Sequence, residues 1–488
     1  MYLEYHGWLF IEYWEYAMLF FYLIVIYMYF ARRKNQMVKK RPEYRYLLWG
    51  LYAKLIGGVA FSLIYFYYYD GGDTMGYFSC SLSMSKLALE SPVDFFSVLF
   101  GPSSIEVRHY FTEATGWPYV YVLTDPRQWM VVRLVSPLTI LSFNSYLITT
   151  VMVAGLTYAG VWRLYITLHR YFPSLHMELA IAVLFMPSSI LWGSAILKDS
   201  FTFSAFCWFV YAVDQIFFVK QNQVSSVTAL ILSGMVLILI KPYIFMAIFP
   251  TALVWIMYKR LAAIRNALVK YILLPFGFMI LIVVSLAVLG SLGDELGKFS
   301  LDKALDTVVL TQNDLKRSDE YGHNYFDVGE VEASWMSVLS KLPVALNATL
   351  FRPYFYECHN FTMLMSGLEN LWLLILFIRI LWATRIVMLP TVIMKNPLVL
   401  TCLSFTIVFG FLTGITTPNF GALVRFKIPL LPMFVSGLYI VRFLMMQREV
   451  RLRQGLKFSF DDYRTGEPGS QAAQRVKWLE VEKKKGRR

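Results

Sequence analysis

The residues able to do chemistry fall in five short clusters, each at the edge of a long apolar run. The first is Tyr69-Asp70-Gly71-Gly72-Asp73-Thr74, where two carboxylates stand three residues apart with glycines between them. Such a pair can converge on a divalent cation (Mg or Mn) or on a substrate hydroxyl, with Asp70 or Asp73 as the base. The bland reading is a turn, since Asp-Gly and Gly-Asp are common turn chemistry. The second cluster runs from Pro187 to Ser200 and carries Lys198 and Asp199, which could neutralise one another or present the lysine to an anionic headgroup. The third, Lys241-Pro242-Tyr243, puts a cation between two apolar runs, where a snorkelling lysine explains it almost as well as a site does. The fourth, Phe351 to Glu357, contains Arg352, whose guanidinium suits phosphate or carboxylate recognition but could equally pair with Glu357. The fifth runs from Thr416 to Pro429 and holds Asn419, Arg425 and Lys427 in a short turn.

These residues need elements to carry them, and the composition says which solvent those elements meet. The chain has 488 residues, of which 57% are hydrophobic and 17% aromatic. An ordinary soluble domain is about 45–50% apolar, so this excess requires the bilayer as part of the solvent. The net charge of +13 is spread as short Lys/Arg groups between apolar runs and in the tail, which fits cytoplasmic loops and argues against a nucleic-acid partner.

Runs long enough to span lie at about 14–31, 47–69, 136–166, 176–196, 200–219, 225–241, 243–258, 268–290, 368–388, 397–416 and 428–446. The expected fold is therefore an all-α polytopic transmembrane helical bundle of about eleven helices. The first run lacks a small-residue cleavage site and reads as a retained helix. Basic residues at 32–41, 163–170, 259–270 and 385–395 place the N-terminus outside and the C-terminus in the cytoplasm. Residues 1–446 then form the membrane domain and 447–488 a basic cytoplasmic tail. Two large extracytoplasmic loops follow, about 70–135 and 291–366, the first expected to hold short amphipathic helices on the membrane surface. The runs beside Lys198 and Lys241 are short and open to a re-entrant reading. All five clusters fall at outer helix ends in this topology, and a charge at bilayer depth costs several kcal/mol unless it is paired or meets water.

An outward site with two carboxylates and several cations is suited to a lipid-linked phosphate or pyrophosphate. The cations stabilise the leaving phosphate and a carboxylate takes the acceptor's proton. No Walker loop, GxSxG, HExxH or dinucleotide fingerprint competes with this reading. Four cysteines occur without CxxC spacing, which argues against zinc. Cys80 and Cys358 both fall in outer segments and could form a disulfide.

In this arrangement the chain resembles the polytopic glycosyltransferases of the GT-C superfamily and the related polymerases of bacterial surface polysaccharide. The residues that carry the resemblance are Asp70 and Asp73 in the first large outer loop, the Pro187–Ser200 run, and the turn from Asn419 to Arg425. The acidic pair follows the second helix here, where the family's usual pattern has the first. The resemblance covers about 45–445 and implies a bacterial inner-membrane enzyme that moves a sugar from a polyprenyl-linked donor to a glycan or lipid acceptor, with inversion. By the same resemblance Asp70 or Asp73 is the base or the metal-organising acid, and Arg352 and Arg425 bind the lipid phosphate; the polar clusters themselves add Lys198, Asp199, Lys241, Glu357 and Asn419 as candidate substrate-binding residues. A repeat-unit polymerase is the near neighbour. A transporter or flippase would instead place charges near the bilayer midplane and break its helices there.

Overall fold

The computed structural model describes residues 4–5, 9–262, 309–310, 325–326, 329, 332, 334–359, 361–384, 388–455 and 458. The expected run at 268–290, the acidic stretch beginning at Asp294 and the tail beyond 458 lie outside these residues.

The described chain is helical apart from β1 (Glu4–Tyr5) and β2 (Leu9–Phe10), a two-residue antiparallel pair. The helices are α1 (Tyr13–Met37), α2 (Tyr46–Tyr67), α3 (Asp73–Glu90), α4 (Pro92–Phe100), α5 (Val120–Leu123), α6 (Pro126–Leu141) and α7 (Tyr146–Tyr171). They continue with α8 (His176–Leu184), α9 (Pro187–Trp192), α10 (Lys198–Asp214), α11 (Gln223–Ile240) and α12 (Pro242–Ala262). The last group is α13 (Trp335–Ser340), α14 (Leu342–Phe351), α15 (Phe361–Thr384), α16 (Leu389–Lys395), α17 (Pro397–Thr416), α18 (Phe420–Phe426) and α19 (Leu430–Arg453).

Among the described residues eight helices are long and apolar enough to cross a membrane, and three shorter apolar helices accompany them. The protein is an integral membrane protein. Its backbone follows from that solvent, because lipid offers no partner to an open N–H or C=O and helices satisfy those groups within the segment.

Two expected runs are divided differently. The run at 136–166 is interrupted, because Phe143 and Asn144 take left-handed backbone angles and separate α6 from α7. Asn tolerates that region better than most residues. The run at 176–196 is cut twice, once before Pro187, which disfavours helix in the residue preceding it, and again after Trp192. The helix α19 continues without a break to Arg453, into the first residues of the expected tail.

The chain divides into two compact units that interleave in sequence. Unit 1 comprises 1–163, 187–212 and 221–245, and unit 2 comprises 164–186, 213–220 and 246–488. In unit 1, α3 is no surface helix. Its Met75, Tyr77, Phe78, Cys80 and Met84 are buried in a core shared with Trp129, Val131, Val132 and Val135 of α6. Pairing with α6 gives α3 an apolar environment of protein rather than lipid. Of the loop helices, α4 keeps the expected surface character, exposing Val93, Phe96 and Phe100. In unit 2, α17 lies close against α14: a side chain at Gly414 would run into the Ala345 carbonyl, and Thr349 Oγ1 donates to the Gly410 carbonyl at 2.7 Å. Small residues at this spacing let helix backbones approach in a membrane. All four cysteines have free thiols, and Cys80 is buried in the α3 core.

Candidate functional site

The Asp70–Asp73 turn in unit 1 is built on aromatic residues from the end of α2. Phe61 stacks on Tyr65 at 4.3 Å, Tyr65 packs on Tyr69 at 4.9 Å, and Trp192 stands edge-on to Phe61 at 5.2 Å. The chain then reverses through Asp70 (φ 48°) and Gly72 (φ 117°). Only glycine suits the second of these angles, and a Cβ there would meet the Tyr65 ring at 2.8 Å. Thr74 pins the start of α3 through a buried hydroxyl contact with Tyr146 at 3.0 Å. The outcome is a fixed turn that leaves both Asp70 and Asp73 exposed.

Unit 1 holds further charges. Gly76, on the first turn of α3, faces the Tyr121 hydroxyl, and Tyr121 leads directly into Asp125. Asp125 caps α6 by accepting from the Arg127 amide at 2.9 Å and stands 3.8 Å from Lys198. Burial pushes the Asp125 carboxyl up, but Lys198 and the hydrogen bonds from Arg127 and Gln128 outweigh it and hold it below the usual value. Burial also lowers the Arg127 guanidinium. Asp199 pairs with Lys241 at 2.6 Å, both almost fully buried. Lys198 and Asp199, adjacent in sequence, therefore do not neutralise one another: each takes a partner from a different element. Helix geometry explains this, since neighbours on a helix point about 100° apart. Lys241 is no snorkelling lysine either, because its ammonium is held inside the protein by Asp199. Asp125 and Arg127 carried no signal in the sequence, because an Asp before Pro126 reads as an ordinary helix cap.

Unit 2 assembles the other two clusters. Arg352 lies against the rings of Phe326 and Phe420, at 5.0 and 5.3 Å. It bonds Glu357 with two nitrogens: Nη2 meets Oε1, and Nε donates to Oε2 at 3.1 Å. The bidentate fork leaves the remaining guanidinium edge to any phosphate. Asn419 caps α18 by accepting from the Ala422 amide at 3.2 Å, and it bridges to Tyr325. The Phe326 amide donates to the Pro418 carbonyl at 2.8 Å, so Arg352 and Asn419 share one structural knot. Asn370 ties in the next layer, donating to the Pro353 carbonyl at 3.2 Å and accepting from Lys427 Nζ at 2.6 Å. Lys427 has no exposed surface. Burial drives its ammonium down to about 8, against the opposing pull of Glu369. Arg425, the other cation of this turn, is half-buried in the last turn of α18. Glu369 and Asn370 sit inside an apolar helix and were passed over in the sequence, although polar residues at that depth are a signal in their own right.

One further cation was missed. Lys54 lies within the candidate span Pro42–Tyr67, is buried, and donates to the carbonyl of Gly193 in the irregular link between α9 and α10. Its ammonium also faces the Phe203 ring at 6.0 Å.

Among the described residues no group of three or more His, Cys, Asp or Glu side chains is placed to hold a metal ion. Asp70 and Asp73 could hold a divalent cation only in company with substrate oxygens and water, as Mg commonly is held. No protein-family model matches the chain, and neither a curated protein nor a solved structure proves similar to it.

Proposed function

We propose that the protein is a membrane glycosyltransferase that takes a sugar from a polyprenyl-phosphate-linked donor at the extracytoplasmic face, in the synthesis of a bacterial cell-surface glycan. The observation that carries this reading is the exposed Asp70–Asp73 turn, in a unit that also holds the Asp125–Lys198 and Asp199–Lys241 pairs. The acceptor hydroxyl loses its proton to Asp70 or Asp73 and its oxygen bonds to the anomeric carbon. The bond from that carbon to the phosphate oxygen breaks, and the lipid phosphate leaves with the electron pair. Lys198, partly exposed and 3.8 Å from Asp125, is the cation assigned to stabilise it. Asp199 and Lys241 are closed on one another and act as positioning residues beneath it. The Arg352 guanidinium, partly exposed, is a second cationic element in unit 2 of a type suited to phosphate recognition, and buried Lys427 ties the layer behind it through Asn370. A repeat-unit polymerase would use the same groups on a lipid-pyrophosphate donor.

Transport is the second reading, and Lys54 favours it: a buried cation within a span, bonded to backbone where the helix run is broken, is common equipment of transporters. The deciding experiment profiles lipid-linked oligosaccharide and surface glycan in cells lacking the protein, complemented with wild type, Asp70→Asn/Asp73→Asn or Lys54→Met. Truncated glycan rescued by wild type and not by the aspartate variant supports the transferase. Rescue by the aspartate variant, together with failure of a Lys54→Met protein that reaches the membrane at wild-type level and folded, would move the assignment to transport.

A further inference from the structure

The α15 and α19 helices of unit 2 run side by side in the same direction. Lys427, just before α19, meets Asn370 of α15, and Phe434 packs on Phe377 at 6.0 Å further along. Beyond these contacts the helices part and leave a groove of about 690 Å³ lined by Trp372, Ile375, Trp382 and the two arginines Arg379 and Arg442. Both arginines lie within candidate spans and both are exposed. No described carboxylate lines the groove. Arg379 is five residues before the end of α15 and Arg442 six residues before Arg448, about 7.5 and 9 Å along the axis at about 1.5 Å per residue.

Inside a span an unpaired charge is expensive, and long side chains reach toward phosphate. Trp382, 86% exposed and three residues beyond Arg379, is of a type enriched where membrane meets water. The last turns of α19 add Arg448, Arg451 and Arg453 against a single acid, Glu449. The surroundings thus attract anions, and the groove's apolar walls accept acyl chain. Arginine at both positions matters, because a guanidinium binds phosphate with a planar fork that an ammonium lacks.

We propose that this groove is a binding site for an anionic phospholipid, with the lipid phosphate held between Arg379 and Arg442 and an acyl chain laid along Ile375 and Trp372. The site is separate from the Arg352–Lys427 network, since Arg379 stands about 14 Å further along α15 than Asn370. It does not depend on the sugar-transfer reading.

The test uses the full chain in nanodiscs of equal phosphatidylglycerol and phosphatidylcholine, followed by native mass spectrometry of the lipid retained after detergent transfer. Wild type is expected to keep phosphatidylglycerol in clear excess. Arg379→Gln/Arg442→Gln is expected to lose it at least about tenfold, the factor given by about 1.4 kcal/mol. The variant's melting temperature in pure phosphatidylcholine checks folding, and Arg379→Ala/Arg442→Ala serves as the second pair. Equal retention of both lipids by wild type, or full retention of phosphatidylglycerol by a folded variant, overturns the proposal.

Discussion

Lys198 and Lys241 take carboxylate partners far away in sequence, Asp125 and Asp199, and the consequences of removing a partner are unequal. Asp199 and Lys241 bond at 2.6 Å with almost no exposure. Removing one leaves the other as an uncompensated buried charge, which costs about 3–5 kcal/mol. Lys241→Met should therefore lower thermal stability sharply, and Lys241→Met/Asp199→Leu should recover most of it, as followed by melting temperature in detergent. Asp70 and Asp73 are exposed, and Asp70→Asn/Asp73→Asn should leave that melting temperature unchanged while abolishing glycan output. Lys427 offers a pH test. Its folded ammonium titrates near 8, below the ordinary lysine range, whereas the unfolded chain keeps its proton to about 10.4. Between these values the unfolded state binds more protons, so stability should rise with pH across that window. Lys427→Arg should remove this trend, since arginine stays charged.

Helices in this chain are set by what they touch as much as by their composition. The α2 and α9 helices approach so closely that a side chain at Gly57 would strike the carbonyl of Ile190. Gly57→Val should cost about 1–3 kcal/mol through overpacking. It should also displace the link that carries Lys198, so that glycan output falls further than the stability loss alone would give; melting temperature and glycan profiling together check this. The break between α9 and α10 has a local cause in Gly193 and a distant one in Lys54, whose ammonium holds the Gly193 carbonyl. A backbone carbonyl released from its helix needs a donor. Lys54 supplies it inside an apolar span, and Lys54→Met should destabilise unit 1 even if transport is not its task.

At the scale of the whole molecule, the apolar excess and the Lys/Arg spacing were enough to show an integral membrane protein of helices, because bilayer thickness imposes a minimum apolar length on every span. The helix ends at α2, α11 and α17 were legible in the same way, from Tyr67, Lys241 and Pro397. So were the five polar clusters, since charged residues beside apolar runs stand out without a structure. Pairing was not legible. The sequence makes Lys198 and Asp199 neighbours, while the fold gives them to Asp125 and Lys241. It marks Arg425 as the prominent cation of its turn, while the fold buries Lys427 against Asn370 and Glu369. Burial of α3 against α6 and the use of Lys54 at Gly193 were equally hidden. The physical reason is common to all of them. Apolar length and charge position are local properties that a chain carries in its order, whereas the cost of a buried charge depends on which atom of another helix lies within a few ångströms of it, and only the packing of the helices decides that.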